Sequence, residues 1–185
     1  PFSWDAQVYH LLIPKRLIAN KGFCFLPFNV YSNMPYAMDL FYLLAMAAAD
    51  DAAANLTHFA LGVLVCISLI AISRRYFTPL AGIIAALLFV CHPMVIYEYG
   101  VAFIDVGLAL FCLWTAASLL EWRRTGCIGY LILSGVFAGM GMGSKYTMIA
   151  GAAAAIIILL GLSFRRLQLI LYFMIPAGLL IIPWL

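Results

Sequence analysis

Apolar residues dominate the chain after residue 55, in runs as long as a bilayer is thick. Six such runs cover 56–73, 79–97, 101–120, 127–143, 146–163 and 168–185. Spanning a bilayer as a helix takes about 20 apolar residues. The runs are continuous rather than alternating, so they predict membrane-spanning helices and not the strands of a barrel. Because the polar links are short, consecutive helices are expected to be antiparallel.

The first 55 residues have a different pattern, with polar residues between the apolar ones. Residues 4–20 place Trp4, Val8, Leu11, Leu12 and Ile18 on one stripe at helical spacing, which predicts an amphipathic helix. We expect Ser3 or Asp5 to cap it, Pro14 to kink it and Gly22 to end it.

A second helix is predicted within "NMPYAMDLFYLLAMAAADD", with Asn33 as its cap and Pro35 in its first turn. Its apolar part, 36–49, is too short to span, so it is expected to lie in the plane of the membrane interface. The pattern therefore predicts two regions, a loop with juxtamembrane helices over 1–55 and a transmembrane region of about six spans over 56–185.

Composition excludes a soluble domain. Hydrophobic residues make up 67% of the 185 residues, charged residues only 9%, and the mean hydropathy is +1.11. Soluble domains carry about a quarter charged residues. The net charge of +3 does not indicate nucleic-acid binding, since most Lys and Arg residues form isolated pairs between apolar runs. The five cysteines show neither metal-binding nor disulfide spacing.

Arginine pairs predict how the helices cross the membrane. An even number of predicted spans separates each pair from the next, so all three lie on one face: Arg74-Arg75, Arg123-Arg124 and Arg165-Arg166. The positive-inside rule makes that face cytoplasmic. Residues 1–55 and the links "YEYGVAFID" and "GSKYT" are then extracytoplasmic, together with almost all other charged residues.

Two carboxylates are candidates for chemistry on that outer face. Asp5 is either a cap at a helix start or a general base or metal ligand at the membrane surface. Asp105 lies a few residues inside a predicted span, where a carboxylate is costly and indicates function unless it stays at interface level.

Other polar residues on the same face are candidates for substrate binding. Lys145, in "GMGMGSKYT", and Lys15 suit an anionic ligand, although an interfacial lysine also simply snorkels. Glu98 and Tyr97 lie at the outer boundary, where the tyrosine is also a membrane anchor. His10 either contacts substrate or packs. His58 and His92 are interpreted as packing residues, and the sequon at Asn55 is discounted.

Carboxylates, cations and interfacial helices on one face suit a substrate with a lipid tail and a phosphate head. A lipid-linked-sugar glycosyltransferase is the first hypothesis. A transporter or flippase for an anionic lipid or solute is the alternative, but transporters place charges near the midplane on broken helices. A non-catalytic membrane subunit is the third.

Four stretches carry a family resemblance: "WDAQVYHLLIPKRLIANKG", "SNMPYAMDLFYLLAMAAADDAA", "HPMVIYEYGVAFIDVGLALF" and "GVFAGMGMGSKYT". In their order and spacing the chain resembles the N-terminal half of GT-C membrane glycosyltransferases of the protein O-mannosyltransferase and aminoarabinose transferase group. The resemblance implies an all-α polytopic fold with an extracytoplasmic first loop. It also implies inverting transfer of a sugar from a polyprenyl-phosphate donor to a glycan, lipid or protein acceptor.

The resemblance assigns roles to residues. Asp5 matches the catalytic first-loop carboxylate, Asp105 an acidic residue at the outer start of a helix, and Lys145 a position near the lipid phosphate. Some relatives have two adjacent acidic residues at this position, whereas here Asp5 is followed by Ala6. The resemblance therefore leaves open whether a divalent metal binds, with Asp5 as its ligand. The resemblance also implies that the chain is a fragment of an inner-membrane protein and is inactive in isolation.

Overall fold

A computed structural model describes residues 3–163 and 167–185, and within them all regular structure is helical. This confirms the expected all-α architecture. Two compact units are present, residues 1–110 and 111–185. The pair Arg165-Arg166, used above to predict orientation, lies outside the described residues.

The first unit begins with two short helical segments in place of the single helix expected over 4–20. A π-helical segment covers Ala6–His10, and helix α1 covers Leu12–Asn20. The break has a chemical cause, because Pro14 has no N–H to donate to the carbonyl of His10. Just before the break, the Leu11 N–H donates to the carbonyl of Ala6, five residues back, at 2.8 Å.

The ends and faces of these segments also differ from expectation. Trp4 and Ile18 of the predicted apolar stripe are exposed, whereas Ile13 and Leu17 are buried with Leu26. Asp5 makes no capping hydrogen bond. Lys21, not Gly22, takes the left-handed conformation that ends α1, with φ of 54°.

A 3₁₀ turn at Val30–Asn33 leads into helix α2, Ala37–Ala48. Asn33 belongs to that turn and Tyr36 precedes the helix without a side-chain cap, so the capping role predicted for Asn33 is wrong. Asp50 does cap the next helix, α3, since its side chain accepts from the N–H groups of Ala52 and Ala53.

Helix α3 covers Asp51–Tyr76 and α4 covers Pro79–Val90. The segment expected as one span over 79–97 is broken at Cys91 and His92, because a residue before proline disfavours the α conformation. A short helix α5, Pro93–Glu98, follows the break. His92 is exposed, so its interpretation as a packing histidine is wrong.

Helix α6, Asp105–Thr125, begins in the first unit and ends in the second. The second unit continues with α7 (Ile128–Met142), α8 (Met148–Ser163), α9 (Leu167–Ile181) and a closing 3₁₀ turn at Ile182–Trp184. Glycines let α7 approach α9 closely, since a Cβ on Gly139 would lie 2.8 Å from the Ala177 carbonyl oxygen.

Two of the described helices are long and apolar enough to cross a membrane, α3 and α6. Five further apolar helices in the described part of the chain are shorter than 18 residues. The predicted division at residue 55 and the count of about six spans therefore stay predictions, and α3 already begins at Asp51.

Candidate active site

Most of the sequence-predicted site residues belong to the first unit. Asp5, His10 and Lys15 lie in the segments before α2, and Tyr97, Glu98 and Asp105 lie between the end of α5 and the start of α6. Lys145 belongs to the second unit, where it is half-buried in the link between α7 and α8.

Asp5 is half-buried at the start of the π-helical segment, one turn before Tyr9. Burial, then the charge and hydrogen bond of Asp5, raise the pKa of the Tyr9 hydroxyl. Tyr9 therefore stays protonated and can donate to the Asp5 carboxylate. The charge of Asp39, in α2, also raises the pKa of Tyr9, so the Tyr9 hydroxyl responds to both carboxylates.

His10 is buried and its Nδ1 lies 2.8 Å from Oδ1 of Asp39 in α2. Burial raises the pKa of the Asp39 carboxyl, while the hydrogen bond and charge of His10 act in the opposite direction. The Tyr9 ring stacks on that of Tyr31, with centroids 4.4 Å apart, and is tilted against the His10 ring, with centroids 4.1 Å apart.

The backbone carbonyl of Phe103 lies at the centre of a second buried group. It accepts hydrogen bonds from the Tyr42 hydroxyl and from Nδ1 of His58, the latter at 2.7 Å. His58 is buried as expected, but its Nε2 has no hydrogen-bond partner among the described residues. The Phe103 ring lies 6.2 Å from that of His10, so the two groups adjoin.

The charges of three carboxylates act on the Tyr42 hydroxyl. Burial raises its pKa well above the usual value, and the charges of Asp39, Glu98 and Asp105 raise it further. Asp105 is half-buried in the first turn of α6, where the helix dipole favours a carboxylate. Glu98 is buried at the end of α5. Two predicted site residues, Glu98 and Asp105, thus both lie within electrostatic range of Tyr42.

A hydrogen bond joins the N-terminal ends of the two candidate spans, α3 and α6. Oδ1 of Asn55, in the first turns of α3, accepts from the Ala102 N–H at 2.8 Å, just before α6 begins. This contact engages the amide oxygen of Asn55 within the protein, and the discounting of the sequon stays a prediction. The contact joins the first turns of α3 to the residues just before α6.

Lys15 and Tyr97 lie at the periphery. Lys15 is about half exposed and its Nζ lies 2.5 Å from Oδ2 of Asp51, the first residue of α3. Tyr97 is exposed, with its ring 6.0 Å from that of Phe103. Among the described residues no group of three or more His, Cys, Asp or Glu side chains is placed to hold a metal ion.

Sequence reasoning missed Asp39, Tyr42 and Phe103 as members of the site. Asp39 had a usable signal, because a lone carboxylate within "YAMDLFYLLAM" is as costly to bury as Asp105. Tyr42 and Phe103 had none, since their roles come from a tertiary contact across 61 residues.

Comparison with known proteins identifies a family. A family model described as dolichyl-phosphate-mannose-protein mannosyltransferase matches residues 33–185. The match includes Asp39, Glu98, Asp105 and Lys145, and it starts after Asp5. No curated protein and no solved structure matches the chain. Because the match covers more than four-fifths of the chain, which also carries the apolar helices expected of such proteins, the chain belongs to the dolichyl-phosphate-mannose-protein mannosyltransferase family of GT-C membrane glycosyltransferases.

Proposed function

We propose that the protein transfers a sugar from a polyprenyl-phosphate donor to an acceptor at the extracytoplasmic membrane face. The observation that carries the proposal is the set of three carboxylates whose charges act on Tyr42, namely those of Asp39, Glu98 and Asp105. Asp105 begins α6 close to the contact that joins this helix to α3, and all three residues lie within the family match. In a lipid-linked sugar the reactive bond lies at the membrane surface, between a tail in the bilayer and a sugar in water, and the N-terminal ends of candidate spans lie at that surface.

Asp5 is proposed as the general base. Its carboxylate takes the proton of the acceptor hydroxyl while the acceptor oxygen bonds the anomeric carbon of the sugar. The bond from that carbon to the phosphate oxygen breaks, and the polyprenyl phosphate leaves with the electron pair. Tyr9 supports this role, because a protonated hydroxyl beside Asp5 fixes the orientation of the carboxylate.

Asp105 is proposed as the second catalytic carboxylate, facing the positive charge that develops at the anomeric carbon. Glu98, Tyr97 and His10 are proposed to bind the sugar or acceptor, with the His10 ring positioned by Asp39. Lys15 is proposed to bind phosphate, and Lys145, in the second unit, is proposed separately to bind an anionic group of the substrate. A metal is not required by these roles, and Asp5 would be its ligand if one binds.

The extracytoplasmic assignment rests on the arginine pairs. Arg74-Arg75 close α3 and Arg123-Arg124 lie in the last turn of α6, two predicted spans further on. Both pairs lie at the ends of their helices opposite Asp51 and Asp105. The positive-inside rule then places the carboxylates on the outer face of the inner membrane.

The test is sugar transfer by the full-length protein in membranes, from a labelled polyprenyl-phosphate sugar to endogenous acceptors. Loss of a general base lowers the rate by about 10²–10⁴-fold, so Asp5→Asn and Asp105→Asn are expected to lose most activity while Gln7→Ala, at an exposed neighbour of Asp5, keeps it.

Two outcomes would contradict the proposal. Unchanged transfer by Asp5→Asn, with the protein present at equal amounts, would exclude Asp5 as the base. Movement of an anionic lipid or solute into proteoliposomes, without transfer by the wild-type protein, would instead indicate the transporter that the sequence left as an alternative.

A further inference from the structure

The loop between α1 and the 3₁₀ turn exposes a row of phenylalanines. Phe23, Phe25 and Phe28 are 74%, 67% and 67% exposed. The loop itself is fixed, because Leu26 packs in the core of this segment and Asn29 is buried, with its Nδ2 donating to the Val8 carbonyl at 2.7 Å. The phenylalanines therefore point outward from a loop that is anchored at Leu26 and Asn29.

This apolar surface continues into an open cleft between α1 and α2. The cleft has a volume of about 460 Å³ and is lined by Leu17, Ile18 and Phe23 on one side and by Leu40 and Leu44 on the other. Ile18 and Leu44 are themselves largely exposed. An exposed apolar surface that extends into a cleft indicates a site of contact with an apolar partner.

Cations border the same surface. Lys21 lines the cleft, and the guanidinium of Arg16 lies 5.9 Å from the centroid of the Phe28 ring. Apolar and aromatic side chains with a basic rim form the pattern of protein segments that enter the interface of an anionic bilayer.

One contact shows where this surface lies relative to the first candidate span. Lys15, in α1 between the phenylalanine loop and His10, is paired with Asp51, the residue at which the candidate span α3 begins. Helix α1, from which the loop continues, therefore lies beside the N-terminal end of α3.

From these observations we propose that the phenylalanine loop, Phe23 to Phe28, is inserted into the leaflet at the N-terminal end of α3. Acyl chains of bulk phospholipid occupy the adjoining cleft, and Arg16 and Lys21 contact anionic headgroup phosphates. The interaction is with the bilayer and does not depend on sugar transfer.

The test is photo-crosslinking of the full-length protein in native membranes, with benzoylphenylalanine incorporated at Phe25 or at Phe28. Leu88, an exposed residue of the apolar helix α4, is the matched reference for lipid contact. Mass spectrometry of the adducts is expected to find phospholipid at all three positions. At Phe25 and Phe28, but not at Leu88, anionic phospholipid is expected to be enriched over its share of the membrane.

The double variant Arg16→Gln/Lys21→Gln tests the basic rim. The anionic enrichment is expected to fall by about fivefold for each cation removed, since each cation near an anionic surface contributes independently. Adducts with another protein, adducts with polyprenyl phosphate alone, or the absence of any lipid adduct while Leu88 captures lipid, would each overturn the proposal. So would an enrichment that the double variant leaves unchanged.

Discussion

Nδ1 of His10 lies 2.8 Å from Oδ1 of Asp39, and both side chains are almost fully buried although 29 residues separate them in sequence. A buried carboxylate is costly unless it is paired and hydrogen-bonded. This pair therefore joins the segment that bears Asp5 to α2. It makes the position of Asp5 depend on Asp39, a residue of a different helix.

Replacing His10 by alanine is expected to destabilise the protein by about 3–5 kcal/mol, because Asp39 is left as a buried, unpaired charge. The measurement is the free energy of unfolding in mixed micelles. Asp39→Asn, which removes the charge and keeps an acceptor for the His10 ring, is the matched comparison and is expected to cost less. An equal loss in the two variants would show that the charge of Asp39 is not what His10 stabilises.

The same variant is expected to change how stability depends on pH. Burial raises the pKa of Asp39, so the folded state holds its proton to higher pH than the unfolded chain, and stability falls as pH rises through the folded pKa. Without His10, its hydrogen bond and charge no longer lower the pKa of Asp39, so this pKa rises further. Stability then continues to fall up to a higher pH than in the wild type. His10→Ala should thus differ least from the wild type in acid and most at neutral pH.

Tyr9→Phe tests whether Tyr9 positions Asp5. The variant keeps the ring contacts with His10 and Tyr31 but removes the hydroxyl beside the carboxylate. We expect kcat for sugar transfer to fall by about tenfold, the effect of roughly one lost hydrogen bond to a charged group, with KM for the donor unchanged. A rise in KM at constant kcat would instead place the hydroxyl in substrate binding.

The apolar runs predicted most of the helices, and where they failed the cause is local. The run over 79–97 reads as one span of sufficient length, yet α4 ends before His92 because the residue before a proline, here Pro93, avoids the α conformation. The break between the π-helical segment and α1 also involves a proline, Pro14, but here through its missing N–H, since Ile13 before it is helical. Hydrophobicity gives the length of a run, whereas each of these breaks depends on a single proline.

The candidate site was only partly predictable, for a different reason. Asp105 was found because a charge inside an apolar run is costly wherever the chain folds. The role of Tyr42 in the site depends on its hydrogen bond to the backbone carbonyl of Phe103, and no side-chain pattern can indicate such a backbone group. Pairing of His10 with Asp39 likewise requires the fold, since each residue alone is consistent with packing or with solvent.

Lys15 and Asp51 form an exposed ion pair, and its removal should have little effect on stability. Both side chains are nearly half exposed, and such pairs contribute about 0–1 kcal/mol. In a double-mutant cycle of Lys15→Gln and Asp51→Asn, the coupling energy is expected to be within this range and to decrease with added salt. If Lys15 binds the donor phosphate, Lys15→Gln raises KM for the donor while Asp51→Asn lowers it. A change in the same direction for both variants would contradict that role.

In the second unit, the approach of α7 to α9 depends on glycines. A Cβ on Gly139 would lie 2.8 Å from the carbonyl oxygen and 2.9 Å from the Cα of Ala177, both of them backbone atoms that cannot rotate away. Forcing extra atoms into such a contact costs about 1–3 kcal/mol, so Gly139→Ala is expected to destabilise the protein by that amount in mixed micelles.

Gly178, in the interior of α9, is the matched control because a Cβ there meets nothing within 4 Å. Alanine is a better helix former than glycine by about 0.5–1 kcal/mol, so Gly178→Ala should be neutral or stabilising. The two variants make the same chemical change on facing helices and are expected to shift stability in opposite directions. If both were stabilising, close backbone contact would not be what holds α7 against α9, and helix propensity alone would account for both changes.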